Sequence, residues 1–193
     1  MTIEAEHICK AYGDHPVLQN FNLSIQTDAC IVVTGPSGSG KTTFMRILLG
    51  LEKPDSGKIQ LLGDYKYAYL CAGVVFQENR LCEQFSAIDN VAMVHHKITK
   101  QTARRELARL LPEQLLERPV RELSGGEQRR VAIVRACAAP ADILVLDEPF
   151  TGLDADARQK ALAYIMERKG SNPVLFLAHE TDHLEFCRKV SIV

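Results

Sequence analysis

Ile31-Val32-Val33-Thr34-Gly35-Pro36-Ser37-Gly38-Ser39-Gly40-Lys41-Thr42-Thr43 runs from an apolar, β-branched stretch through a glycine-rich turn into a helical pattern that reaches Leu49 and stops at Gly50. The order of strand, glycine loop and helix matters as much as the letters. Glycines let the backbone curl until several N–H groups point inward and form an anion nest. The helix beyond aims the positive end of its dipole at the same place. Residues Gly35 to Thr42 fit G-x-x-x-x-G-K-[ST], in which the lysine reaches the β- and γ-phosphates and the hydroxyl binds Mg²⁺. Lys41 and Thr42 take those places. Gly35, Pro36, Ser37, Gly38, Ser39 and Gly40 form the cradle, and Thr43 joins the nucleotide-binding set as the next residue of the helix.

A phosphate loop needs a carboxylate to help hold Mg²⁺. Ile143-Leu144-Val145-Leu146 runs straight into Asp147-Glu148. A buried strand that ends in two carboxylates delivers them to the edge of an open α/β sheet where ligands bind. Asp147 is placed for the metal, and Glu148 for polarising an attacking water.

The same kind of short apolar run recurs at Val74–Phe76 and Val174–Ala178, and Phe21–Ile25 alternates like a half-buried strand. Strands buried on both faces read as continuous apolar runs, which indicates parallel strands covered by helices and an α/β class. Between Gln77 and Leu123 such runs are missing. Ile88–His95 and Ala103–Leu111 carry helical spacing, with Thr99 and Thr102 as candidate caps and Leu107, Leu110 and Leu111 on one face. Helix resumes after Ser124 through Val131, Val134 and Cys137, and another helix is expected from Asp154 to Gly170. The chain therefore reads as a single domain, 1–193, with 1–77 and 124–193 as the core and 78–123 as an inserted helical subdomain.

The 193 residues include 23 basic and 24 acidic side chains, so a net charge of −1 gives no electrostatic reason to expect a nucleic-acid partner. No stretch of about 18 uncharged apolar residues exists, so a membrane span is not expected. The start, MTIEAEHICK, has no apolar segment of the signal-peptide kind. The six cysteines, at 9, 30, 71, 82, 137 and 187, form no C-x-x-C pair and read as reduced, buried thiols of a cytosolic protein.

Leu123-Ser124-Gly125-Gly126-Glu127-Gln128, lying between the phosphate loop and the acidic strand end, resembles the signature of ATP-binding-cassette (ABC) ATPases. Ser124, Gly125 and Gly126 open a helix and offer a second set of N–H groups to phosphate. The resemblance implies that this set, with Gln128, faces the nucleotide held by another subunit. Smaller motifs fall in the family's order along nearly the whole chain. Tyr12 resembles the aromatic that stacks on adenine. Gln77, in Val-Val-Phe-Gln, resembles the glutamine that links Mg²⁺ and water to the helical insert. Thr151-Gly152-Leu153-Asp154 resembles the D-loop at the dimer seam, and His179 the histidine that contacts the γ-phosphate.

What the resemblance implies is a P-loop NTPase (RecA-like) α/β core with a mainly parallel sheet, a small antiparallel sheet near the N-terminus and the helical insert. It also implies ATP and Mg²⁺ as ligands, hydrolysis assisted by Glu148, His179, Lys41 and Gln77, and a metal held by Thr42, Gln77 and Asp147. The expected partners are a membrane permease and a second ABC ATPase subunit, either a copy of this chain or a paralogue, paired head to tail; a substrate-binding protein would accompany an importer. The expected location is the cytoplasmic face of the cell membrane. Import is favoured over export, and a soluble ABC ATPase such as an iron–sulfur assembly factor is the alternative. Gln77-Glu78-Asn79-Arg80-Leu81 resembles the Q-loop of nitrate, taurine and sulfonate importers, but Cys82-Glu83-Gln84 departs from what usually follows there. The chain stops at Val193, where family members usually continue with a further helix, and so reads as a minimal cassette.

One pattern points elsewhere. His179-Glu180-Thr181-Asp182-His183 fits H-E-x-x-H, a zinc-protease motif. That motif needs both histidines on one helix face. His179 directly follows an apolar strand and is expected to precede the helix, with His183 an ordinary helix residue. His95 and His96 read as a helix end near the surface. Arg104-Arg105 and Arg129-Arg130 read as solvated faces or ion pairs, with Arg129 a possible source of positive field near phosphate.

Overall fold

In the computed structural model, which describes residues 2–63, 70–179 and 183–192, the parallel strands come first in importance. They are β3 (Cys30–Thr34), β5 (Ala72–Val75), β6 (Ile143–Asp147), β7 (Val174–Ala178) and β8 (Arg188–Ser191), in the spatial order β5-β6-β7-β3-β8. All their pairings are parallel. Every residue of β6 and β7 is buried, which is why both read as unbroken apolar runs. Successive side chains of a strand point to opposite faces, and the core divides accordingly. Ile31, Val33, Ile143, Val145, Leu175 and Leu177 pack on one side. Val32, Leu144, Leu146, Val174 and Phe176 pack on the other.

The first side is covered by α1 (Lys41–Leu48) and by an antiparallel sheet of β2 (His15–Gln26), β1 (Thr2–Tyr12) and β4 (Ser56–Leu62), in that order. Phe44, Met45 and Leu48 of α1 are buried there, with the Phe21 ring edge-on to Phe44 at 4.7 Å. The second side is covered by α4 (Gly125–Ala138) and α5 (Ala155–Lys169). Between β5 and α4 the described chain contains α2 (Ala87–Ala92), α3 (Lys100–Leu107) and two 3-10 turns, whose apolar residues join the same cluster. Thr99 caps α3, its hydroxyl accepting from the Thr102 N–H at 3.1 Å. Glu106 of α3, 6% exposed, accepts from the Tyr164 hydroxyl of α5 at 3.1 Å and so ties α3 to α5.

Three expectations need correction. The thiols are not all buried, since Cys71 and Cys82 are exposed, and they do not all stand singly, since Cys30 and Cys187, 157 residues apart, lie side by side with Cα atoms 4.8 Å apart. No spacing rule could have paired residues brought together only by the β3–β8 register. His183 is not helical: it lies in a turn with φ 71°. Glu180, Thr181 and Asp182 of the H-E-x-x-H pattern lie outside the described residues. The helical pattern at Ile88–His95 ends early, because α2 stops at Ala92 and His95 and His96 fall beyond it.

Candidate functional site

Strand register explains how distant motifs meet. Thr34 pairs with Ala178, so the loop after β3 and His179 after β7 emerge side by side. Asp147 pairs with Leu177, and the Glu148 N–H donates to the Leu177 carbonyl at 2.9 Å. Val75 pairs with Leu146, which brings Gln77 out on the other flank of the carboxylates. Tyr12, Ser37, Gly38, Gly40, Lys41, Thr42, Thr43, Gln77, Asp147, Glu148 and His179 line one cavity of about 360 Å³, a size suited to a small ligand.

The floor of this cavity is the phosphate-loop sequence. Gly40, the residue before α1, has φ 99°, and a Cβ there would sit 2.8 Å from the Val17 carbonyl. Only glycine meets both demands. No side chain caps α1 and no acidic residue stands in its first turn. Its first N–H groups therefore have no side-chain acceptor and remain donors for an anion. The Lys41 ammonium lies over the loop, donating to the Gly35 carbonyl at 2.7 Å and the Pro36 carbonyl at 2.9 Å. Burial pulls its pKa down, and Glu148 and Asp147 oppose the shift.

The carboxylates differ in environment. Asp147 is 2% exposed and accepts from the Thr42 hydroxyl at 2.8 Å. Burial pushes its carboxyl above the usual range, against the Thr42 bond. Glu148, with φ 47°, turns away from the strand, and its Oε1 lies 2.8 Å from His179 Nε2. His179 Nδ1 lies 3.2 Å from the Gly35 carbonyl and 3.4 Å from Lys41 Nζ. A positive φ at a glutamate is an uncommon backbone state, held here by the Leu177 bond and by the Thr151 N–H donating to the Glu148 carbonyl at 3.2 Å.

A divalent metal and a polyanion fit this set of groups. The Asp147 carboxylate is buried at a cost that a cation would offset. The Ser39 hydroxyl is buried without a partner inside the loop. Among the described residues no group of three or more His, Cys, Asp or Glu side chains gathers in the manner of a zinc site.

Ser124, Gly125, Gly126 and Gln128 do not line the cavity. Ser124 caps α4 in a capping box: its hydroxyl accepts from the Glu127 N–H, and Glu127 Oε2 accepts from the Ser124 N–H at 2.7 Å. Gly126 lies close against the turn at Gly152, since a Cβ there would meet the Gly152 carbonyl at 2.8 Å. Asp154 caps α5, accepting from the Ala157 N–H at 2.8 Å. The residue most underrated in the sequence is Arg129. It is 5% exposed and donates to the carbonyls of Phe76 at 2.7 Å and Gln77 at 2.5 Å, bracing the segment that presents Gln77. Its charge also faces Asp147 and Glu148.

The profile of the family described as ABC transporter matches residues 18–151. The sulfate/thiosulfate import ATP-binding protein CysA of Rhodopseudomonas palustris is 36% identical over 100% of this chain, which spans 60% of that protein's length. The Nod factor export ATP-binding protein I of Cupriavidus metallidurans is 39% identical over 81% of the chain, a match to 55% of that protein. An ATP-binding cassette solved as a dimer in a post-hydrolysis state with ADP and Pi superposes with a TM-score of 0.86 at 27% identity, covering 98% of this chain and 94% of that one.

Proposed function

The chain belongs to the ABC transporter family, and we propose that it is the ATP-binding and ATP-hydrolysing subunit of a transporter whose membrane part is a separate permease. The observation that carries this is the joint placement of the Thr42–Asp147 and Glu148–His179 pairs, each at 2.8 Å, at the mouth of the α1 loop. Among the described residues no helix is long and apolar enough to cross a membrane.

Each group then has a task. The N–H groups of Gly38 to Thr43 and the Lys41 ammonium hold the β- and γ-phosphates. Tyr12 stacks on the adenine. Thr42, Asp147 and Gln77 would hold Mg²⁺, which when bound supplies positive charge against the phosphate oxygens. Glu148 orients a water and takes its proton as the water oxygen bonds to the γ-phosphorus and the bond to the bridging oxygen of ADP breaks. His179 is within reach of both Glu148 and the loop, so it couples the base to the γ-phosphate. Lys41 and His179 stabilise the phosphoryl oxygens as charge redistributes.

The second phosphate-facing helix end, at Ser124–Gln128, lies outside this chain's own cavity. It completes the site of a second cassette, so that two subunits close head to tail around two nucleotides, with Asp154 at the seam. The dimeric arrangement of the structural relative supports this reading. ATP binding closes the pair, hydrolysis opens it, and the insert behind Gln77 passes the motion to the permease. Import is the favoured direction, because the CysA relative matches the whole chain; a substrate-binding protein would then deliver cargo. The export relative matches a smaller share at slightly higher identity and keeps export as the second reading.

Lys41→Ala tests the assignment. It removes a charge-assisted contact to phosphate worth about 1.5–3 kcal/mol. Phosphate release from ATP should collapse while the circular dichroism spectrum and melting profile persist. Undiminished release by a folded Lys41→Ala protein would contradict the assignment.

A further inference from the structure

Tyr12 stands at the end of β1 with 47% of its surface exposed and its ring lining the nucleotide cavity. Its hydroxyl is tied down: it donates to Glu52 Oε1 at 2.5 Å. Glu52 follows α1, and its own N–H donates to the Arg46 carbonyl of that helix at 3.2 Å. Lys10 Nζ lies 3.7 Å from the same carboxylate oxygen and 5.6 Å from the centre of the Tyr12 ring. Asp55 fixes Lys10 through a 2.9 Å contact, and its other oxygen accepts from the Ala11 N–H at 2.7 Å. The side chains of Lys10 and Glu52 are only 15% and 18% exposed. The ring is thus held at its tip and flanked by a cation while remaining open toward the cavity.

We propose that Glu52 is a positioning residue for recognition of the nucleotide base: from the far end of the helix that cradles the phosphates, it holds the Tyr12 ring in the orientation on which the base stacks. The inference rests on the reading of the cavity as an ATP site. Its physical content is pre-organisation. A tyrosine free to turn must be immobilised when a base stacks on it, whereas one already bonded to Glu52 has been immobilised during folding. Because α1 carries the phosphate loop at one end and Glu52 after the other, one rigid element sets the spacing between base platform and phosphate cradle. The bond to Glu52, and then burial, raise the phenol's pKa, so the hydroxyl stays a donor across the physiological range.

Calorimetric titration with Mg·ATP and, separately, with inorganic tripolyphosphate tests this on the folded chain. Glu52→Ala should weaken ATP binding about 3- to 10-fold, the scale of one newly immobilised side chain, and leave tripolyphosphate binding unchanged. Glu52→Gln keeps an acceptor oxygen and should restore most of the affinity. Tyr12→Phe should lose a similar factor, with Glu52→Ala adding nothing further in that background. Equal weakening of ATP and tripolyphosphate would mean that Glu52 merely supports α1, and would overturn the proposal, as would an unchanged ATP affinity or additive losses. If wild type bound tripolyphosphate with no gain from the base, the ATP reading itself would fail and this inference with it.

Discussion

Asp147 stands where it does at the expense of the fold. It is 2% exposed, and burial raises its carboxyl above the ordinary range. The sign follows from linkage: an acid whose folded pKa is raised binds its proton more tightly in the folded state. Its stabilising contribution is complete below the unfolded pKa near 3.8 and is lost as pH rises through the folded value. At neutral pH the ionised, buried carboxylate is therefore a net cost to the protein without metal. Asp147→Asn keeps the size and an acceptor for the Thr42 hydroxyl while removing the charge. Thermal unfolding in chelator at pH 7 should show the variant melting above wild type, and the gain should shrink toward pH 4. Its Mg²⁺-dependent ATPase activity should be lost, a trade of stability against function. A variant that melts lower at neutral pH would contradict the burial argument. The place of Asp147 could be read from the sequence because it ends an unbroken apolar run, Ile143–Leu146, of the kind a buried strand makes. Arg129 reads from the sequence only as a source of positive field near phosphate; its bracing contacts do not, because its acceptors, the carbonyls of Phe76 and Gln77, lie 53 and 52 residues away.

At the scale of elements, the strands most legible in the sequence are those buried on both faces. β6 and β7 contain no exposed residue, so hydrophobicity alone outlines them. β8 escapes notice because Arg188-Lys189-Val190-Ser191 is a largely exposed edge strand with charges where an interior strand would be apolar. β1 is obscured by irregular register between Ala5 and Ala11, which breaks its alternation. Capped helix ends are legible, since Thr99, Asp154 and Gly170 carry local chemistry that does not depend on distant partners, whereas the uncapped ends expected at His95 and Leu111 fall earlier, at Ala92 and Leu107. The Ser124–Glu127 capping box is the same kind of signal, legible as S-x-x-E. Ser124→Ala removes half of it and should lower stability by about 0.5–2 kcal/mol, read as a fall in the unfolding midpoint in urea with an unchanged slope. Glu127→Ala should cost a similar amount, and the double variant less than the sum, because the two groups form one reciprocal cap. Additive losses would show that the box is not acting as a unit.

Over the whole molecule, the order β5-β6-β7-β3 converts four separate stretches of sequence into one cavity edge. Gln77 leaves β5, Asp147 and Glu148 leave β6, His179 follows β7, and the phosphate loop follows β3. That convergence depends on parallel pairing, which puts every carboxyl end on the same side of the sheet. α2, α3 and α4 pack on the opposite face of the sheet from α1, and the Ser124–Gln128 helix end does not line the cavity over the phosphate loop. The central claim is that this edge hydrolyses ATP with Glu148 as the base, and Glu148→Gln isolates it, because the amide preserves shape while losing the proton acceptor. The deciding measurement is single-turnover phosphate release at saturating Mg·ATP, compared between wild type and Glu148→Gln at equal bound nucleotide. The account predicts retained ATP binding with release slowed by about 10² or more, the scale of losing a general base; release at the wild-type rate from the bound variant would contradict it.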